Sequence, residues 1–203
     1  MAERSNMHSY LDWTKQRIDE MDAALASLEA KAHDLGADSR AKAKQFLATL
    51  KKQRDEFEAQ AKVQAEAGEV TLRASKAQLE AKWEMFEGEL KAYFAMLGQQ
   101  IDHHQATFQD VAAAQAKAWH ETTDRLHAEA KQAAATQQAA IEAAVKQLKA
   151  DAALAQARLQ KMQEAGSESW MALSAALADS RKAFEQASQQ AWDALKRANQ
   201  PRP

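Results

Sequence analysis

The sequence predicts an all-α protein, an elongated antiparallel helical bundle or coiled coil, and three observations carry that prediction. Alanine fills 49 of the 203 positions, while glycine fills 5 and proline 2, both prolines at the C-terminal tail. Folds with sheets need turn residues far more often than that. Apolar positions recur by seven near the N-terminus and by eleven further along, the spacings of long amphipathic helices. Cysteine is absent, which excludes disulfides, thiolate metal sites and cysteine nucleophiles. Charged residues make up 28%, the net charge is −2, and no apolar run approaches the ~20 residues of a membrane span. Residues 1–6 lack the apolar core of a signal peptide, so the cytoplasm is the expected compartment.

The first helix is expected over residues 9–35. Leu11, Ile18 and Leu25 are spaced by seven, as are Thr14, Met21, Leu28 and Leu35, an a/d pattern that winds as a left-handed seam. Ser9 with Asp12 resembles a capping box, Gly36 stands where a C-terminal cap belongs, and Asp38-Ser39 offers a new N-cap. The short turn predicts a second helix returning antiparallel from residue 39.

The period then changes to eleven. Phe86, Leu97, Phe108, Trp119, Ala130 and Ile141 form one row, and Leu79, Leu90, Ile101 and Ala112 a second. Met162, Leu173, Phe184 and Leu195 repeat likewise, beside Leu148, Leu159 and Trp170. Eleven residues over three turns is about 3.67 per turn, so such a stripe runs nearly straight. The helix from 39 either continues to 131, about 140 Å, or folds back near 98–104 or 132–138; the phase passes undisturbed through Gly88 and Gly98, which argues for continuity over the turn near 98–104. Gly166 followed by Ser167 is the best candidate break, and residues 132–138 a weaker one.

The whole chain, 1–203, reads as one elongated helical domain. A shift of 98 places Glu66-Ala67-Gly68 on Glu164-Ala165-Gly166, Phe86-Glu87 on Phe184-Glu185, Leu28 on Leu126, Leu79 on Leu177 and Leu97 on Leu195. Heptad spacing alone produces some of these apolar matches, since 98 is a multiple of seven, but it does not produce the Glu-Ala-Gly match. A true duplication would divide the chain into halves at 3–97 and 101–195.

The segment from Tyr10-Leu11-Asp12-Trp13 through Met21-Asp22-Ala23 and Leu28-Glu29-Ala30-Lys31-Ala32 resembles a family of small bacterial coiled-coil proteins described as stress-response proteins. Gly166-Ser167-Glu168-Ser169-Trp170-Met171-Ala172-Leu173 and Ala183-Phe184-Glu185-Gln186-Ala187 resemble that family's closing amphipathic segment. The resemblance covers about residues 9–97 and 163–198; the alanine-rich middle goes beyond it. It implies a role in bacterial stress physiology and brings no catalytic residues. The eleven-residue rows also resemble, in pattern, exchangeable apolipoproteins and related coat proteins.

Two surfaces stand out. The stripe Trp83, Phe86, Leu90, Phe94, Leu97, Ile101, Phe108 and Trp119 would lie bare on a continuous helix, which predicts a homodimer or higher oligomer. The stretch 40–54 holds Arg40, Lys42, Lys44, Lys51, Lys52 and Arg54 with no acid, suited to anionic lipid or granule surfaces. Its competing reading is charge pairing with the acid-rich first helix. The coat-protein reading of the stripe competes with that of a seam padded by alanine. His120, Asp124 and His127 share one face with Glu121 near them, but solvated histidines explain them better, and no metal or other cofactor is expected. His103 and His104 point about 100° apart on a helix and cannot close on one ion alone. No phosphate loop, nucleophile elbow or other catalytic motif is found, and nucleic acid is not an expected partner. The function expected is therefore that of a non-enzymatic, self-associating structural or interaction protein, with an amphipathic surface-coating protein as the alternative.

Overall fold

Helix length in so alanine-rich a chain is set by where it is interrupted. The computed structural model describes residues 2–66, 72–98, 101–131, 135–165 and 170–198. The described residues form helices and no strands: α1 (Ala2–Ala32), α2 (Ala37–Glu66), α3 (Leu72–Leu97), α4 (Ile101–Ala130), α5 (Ala135–Ala165) and α6 (Trp170–Ala198). At 1.5 Å per residue each is roughly 40–47 Å long.

The first turn falls at Gly36, as the sequence predicts. α2 begins at Ala37, so Asp38 sits in its first turn, where an acid complements the helix dipole. Arg40 reaches back and donates from Nη2 to the carbonyls of His33 (2.9 Å) and Leu35 (2.8 Å), satisfying groups that the end of α1 leaves open.

The continuous helix expected over 39–131 is not formed; α2, α3 and α4 divide that range. The break after α3 has a local cause. Gly98 adopts φ 66°, and its N–H donates to the carbonyls of Phe94 (3.1 Å) and Ala95 (3.3 Å). This is a left-handed helix cap, open to glycine at little cost. An eleven-residue spacing that crosses Gly98 does not report one helix. Eleven is seven plus four, so inside a helix this short both periods select the same face. Buried positions of α3 also recur by seven, as Leu79–Phe86–Tyr93 and Trp83–Leu90–Leu97. α4 ends at Ala130 and α5 begins at Ala135, and of the weaker candidate turn, 132–138, residues 132–134 lie outside the described residues. The cap expected at Ser167 lies outside the described residues.

Contacts between named residues fix the helix directions. Asp22 with Arg54 and Tyr10 with Gln64 set α1 antiparallel to α2, and Gln60 with Gln78 does the same for α2 and α3. Ser27 with Thr107 and Lys15 with Glu121 set α1 antiparallel to α4. Helix α6 runs antiparallel to α1 and α3 but parallel to α4, since Trp119 stacks on Phe184 while Gln115 donates to the carbonyl of Leu177. α1 and α4 form the centre, each packed on several helices. α2 packs chiefly on α1 and α3, α5 chiefly on α4 and α6, so these two form the edges.

The two halves correspond closely. Adding 98 to the bounds of α1, α2 and α3 gives 100–130, 135–164 and 170–195, against 101–130, 135–165 and 170–198 for α4, α5 and α6. Each described buried residue of α3 (Ser75, Leu79, Trp83, Phe86, Leu90, Tyr93, Phe94, Leu97) has a buried residue 98 positions later. The pairs include Phe86 with Phe184, Phe94 with Trp192 and Trp83 with Arg181. The halves differ in that α6 also packs firmly on α1.

Candidate functional site

The most densely charged place in the interior lies where α1, α3 and α6 meet. Arg17, Glu20 and Arg181 are all buried there. Arg181 pairs with Glu20 (2.8 Å) and with Glu87, while Arg17 pairs with Glu20 (3.3 Å) and with Glu185. Both guanidinium carbons lie against the Trp83 ring, that of Arg17 at 5.1 Å and that of Arg181 at 4.8 Å from its centroid. Burial lowers the Arg17 pKa, with the nearby Arg181 charge adding to it. Burial acts the same way on Arg181, but Glu20 and Glu87 outweigh it and hold its pKa above the ordinary value. Guanidinium stays protonated in either case. The cluster thus joins three helices by charge-assisted hydrogen bonds at one register. Its carboxylates face guanidiniums, an arrangement that orients helices. A second polar tie lies further along α1, where Asp12 pairs with Arg125 and accepts from Trp192 Nε1 (3.3 Å).

The aromatic stripe is brought inside. Trp83, Phe86, Leu90, Phe94, Leu97, Phe108 and Trp119 are all buried within this chain. Ile101 opens α4, and its side chain is outside the described residues. Phe94 packs on Trp170 (centroids 4.2 Å apart) and Trp119 stacks on Phe184 (4.9 Å). This corrects the premise that a second copy must cover the stripe. Once the chain turns at Gly98, α6 and α1 cover it.

Much of the basic stretch is engaged with acids of its own chain. Arg54 is bidentate to Asp22 (2.7 and 2.9 Å) and also meets Glu58, while Lys51 pairs with Glu29. The hydrogen bonds to Asp22 lead the causes that raise the Arg54 pKa. Arg40 caps α1, and Lys52 lies 3.9 Å from Glu56. Lys42 and Lys44 are exposed, with no ion-pair partner among the described residues. Of the six cations, these two are left for an external anionic surface.

The histidines divide by environment. His120 and His127 are exposed, as is Asp124, and no cluster of three metal-ligating side chains occurs among the described residues. His103 and His104 are buried instead, at the start of α4. His104 packs edge-on to Phe94 (4.7 Å), with neither ring nitrogen hydrogen-bonded among the described residues.

Sequence reasoning passed over two recesses. An open groove of about 560 Å³ runs along the contact of α5 with α6, lined by Asp151, Leu154, Arg158, Leu159, Lys161, Asp179 and small and amide residues of α6. Leu154 is 55% exposed on its rim. A smaller cavity of about 250 Å³ lies between α1, the start of α3 and the middle of α6, with Gln16, Lys76 and Lys182 in its wall. The alanine-rich run of α5 was the signal for the first; a glutamine on an inward position was the only sign of the second. No helix among the described residues is long and apolar enough to cross a membrane. No protein-family model, curated protein or solved structure matches this chain.

Proposed function

We propose that this protein is a non-enzymatic structural and interaction protein that self-associates along α5, and that its setting is the bacterial stress response implied by the sequence resemblance. The observation that carries the self-association is the outer face of α5. Ala150, Ala153, Leu154 and Ala157 are exposed at spacings that put them on one side of the helix, beside the open groove. Alanine lets helix axes approach to about 8 Å, and Leu154 supplies an apolar knob. One charge pair beside this face is self-complementary. An antiparallel pair of α5 helices centred on Gln156 sets Asp151 of one copy opposite Lys161 of the other, twice over. That is the requirement of a two-fold interface.

Sedimentation equilibrium at micromolar concentration is expected to give a dimer. Leu154→Glu with Ala157→Glu is expected to give a folded monomer, because both positions are on the surface, with a melting temperature lower than the parent's only by the association it has lost. A parent that stays monomeric throughout refutes the self-association. The coating alternative rests on Lys42 and Lys44, and two lysines attract an anionic membrane only weakly. Sedimentation with anionic vesicles at low salt tests it directly, and Lys42→Glu with Lys44→Glu should abolish any binding that it explains.

A further inference from the structure

We infer that the groove along α5 and α6 receives α5 of a second copy of this chain, anchored by Leu154, and that the first half of the chain refuses the same contact, so that assembly closes at two copies. The inference rests on the self-association proposed above; it adds what fills the groove and what sets the number of copies. The first half provides an internal control. There long polar side chains bridge the seam between α2 and α3: Lys82 pairs with Glu56 (3.1 Å), and Gln78 accepts from Gln60 (2.9 Å) and Gln64 (3.2 Å). A shift of 98 places Leu154, Arg158, Ala176 and Ser180 on Glu56, Gln60, Gln78 and Lys82, and all four line the groove. Alanine and serine are too short to cross, so the seam that is bridged in the first half is open in the second.

The outer faces differ in the same sense. α2 turns Lys52, Asp55, Glu56 and Ala59 to solvent, and their counterparts on α5 are Ala150, Ala153, Leu154 and Ala157, all of them exposed. Charge suits water, and an apolar face suits a cover. The rim of the groove selects that cover. Asp151, Arg158, Lys161 and Asp179 line it without an ion-pair partner among the described residues, where the first half has Gln53, Gln60, Val63 and Ala81. Two acids and two bases leave no net charge, which favours a surface of the same mixed composition over a polyanion. In the antiparallel pairing about Gln156, Leu154 comes level with the partner's Arg158, at the stretch of groove that Ala176, Ser180 and Ala183 keep open. A two-fold contact present on one half alone is used once per chain and closes at a dimer; the same contact on both halves would build open filaments.

Sedimentation equilibrium of the full chain over a range of concentrations tests the inference by filling the groove and by mixing charges. Ala176→Gln with Ala183→Met restores the side chains that Gln78 and Met85 supply in the first half, and it leaves α5 untouched. It should weaken dimerisation by about tenfold or more while the helical circular dichroism stays as in the parent. Asp151→Lys and Lys161→Asp each set like charges opposite one another twice, and each alone should weaken dimerisation by about tenfold. An equimolar mixture of those two variants should regain the parent's affinity, because every facing pair is then opposite in sign. These two are surface changes, so the mixture decides even where the filled variant does not fold. A folded, filled variant that dimerises as the parent does overturns the inference yet leaves the α5 contact standing, whereas a parent that never dimerises removes that contact as well. A mixture that stays as weak as its components overturns the antiparallel seat of Leu154, and a parental mass that climbs past two copies overturns the closed limit.

Discussion

Arg181 and Glu20 form a buried ion pair at 2.8 Å, although they are 161 residues apart in the chain. The pair joins the first helix to the last, and Glu87, which also meets Arg181, extends it to α3. Without Arg181, Glu20 keeps only Arg17 and Glu87 loses its guanidinium, and leaving buried carboxylates partly stranded typically costs up to about 3–5 kcal/mol. Arg181→Met is therefore expected to destabilise the fold by that order in urea denaturation. Adding Glu20→Gln should recover part of the loss, because the stranded carboxylate is then neutral. Recovery should be incomplete, since Arg17 then keeps only Glu185 and Glu87 still lacks Arg181. If the double variant is less stable than the sum of the single effects, the pair is not the unit described.

The buried histidines predict an acid-side loss of stability. Burial pushes the pKa of both His103 and His104 below the ordinary 6.5. Around His103, Lys31 lowers it further while Asp34 and Asp102 oppose, and His103 in turn lowers His104. Above the unfolded pKa both states hold neutral imidazole, so no dependence arises there. As pH falls through about 6.5, the unfolded chain takes up protons that the folded chain refuses, and stability drops until the folded pKa is reached. The melting temperature is expected to be about 2–4 °C lower near pH 5 than near pH 7.5. His104→Leu should flatten that slope; an unchanged slope would place its cause elsewhere.

The aromatic stripe, as core, predicts a concentration-independent loss. Phe108 is fully buried, and truncating such a residue typically costs about 3–5 kcal/mol. Phe108→Ala is expected to lower stability by that order at every protein concentration, with no change in sedimenting mass. A loss that grows on dilution would show that a second copy covers the stripe after all.

The helical class, the turn at Gly36 and the row Thr14, Met21, Leu28 and Leu35 were legible because apolar spacing and turn chemistry agree there; all four residues are buried. Leu11 opened the companion row and is exposed. Ile18 in that row is half-buried against the core and Leu25 is buried; α1 also turns two further rows inward, Tyr10–Arg17–Ala24 and Trp13–Glu20–Ser27, all buried. Charges interrupt both, so a hydrophobic pattern cannot reveal them. Their partners, Arg181 and Glu87, lie far off in sequence. The break at Gly98 was hidden differently. Apolar spacing registers which face is inward and is blind to a reversal of direction, provided the next helix restarts in compatible phase. The candidate sites were least legible of all, since an open groove depends on how helices pack.

The glycine within α3 and the glycine that caps it should respond to alanine in opposite ways. Gly88 lies within α3 at ordinary backbone angles, and a methyl group added there would meet nothing within 4 Å. Alanine is a better helix former than glycine by about 0.5–1 kcal/mol, so Gly88→Ala should stabilise by that order. Gly98 has equal room for a methyl group but φ of 66°. There the added Cβ crowds its own backbone, at about 1–2 kcal/mol, with no packing gain to offset it. Gly98→Ala should therefore destabilise, although the space around it is open. Thermal melts of the two single variants decide the matter. If both substitutions stabilise, α3 runs on past Gly98, and the reversal that buries Trp83, Phe86 and Phe108 within one chain is absent.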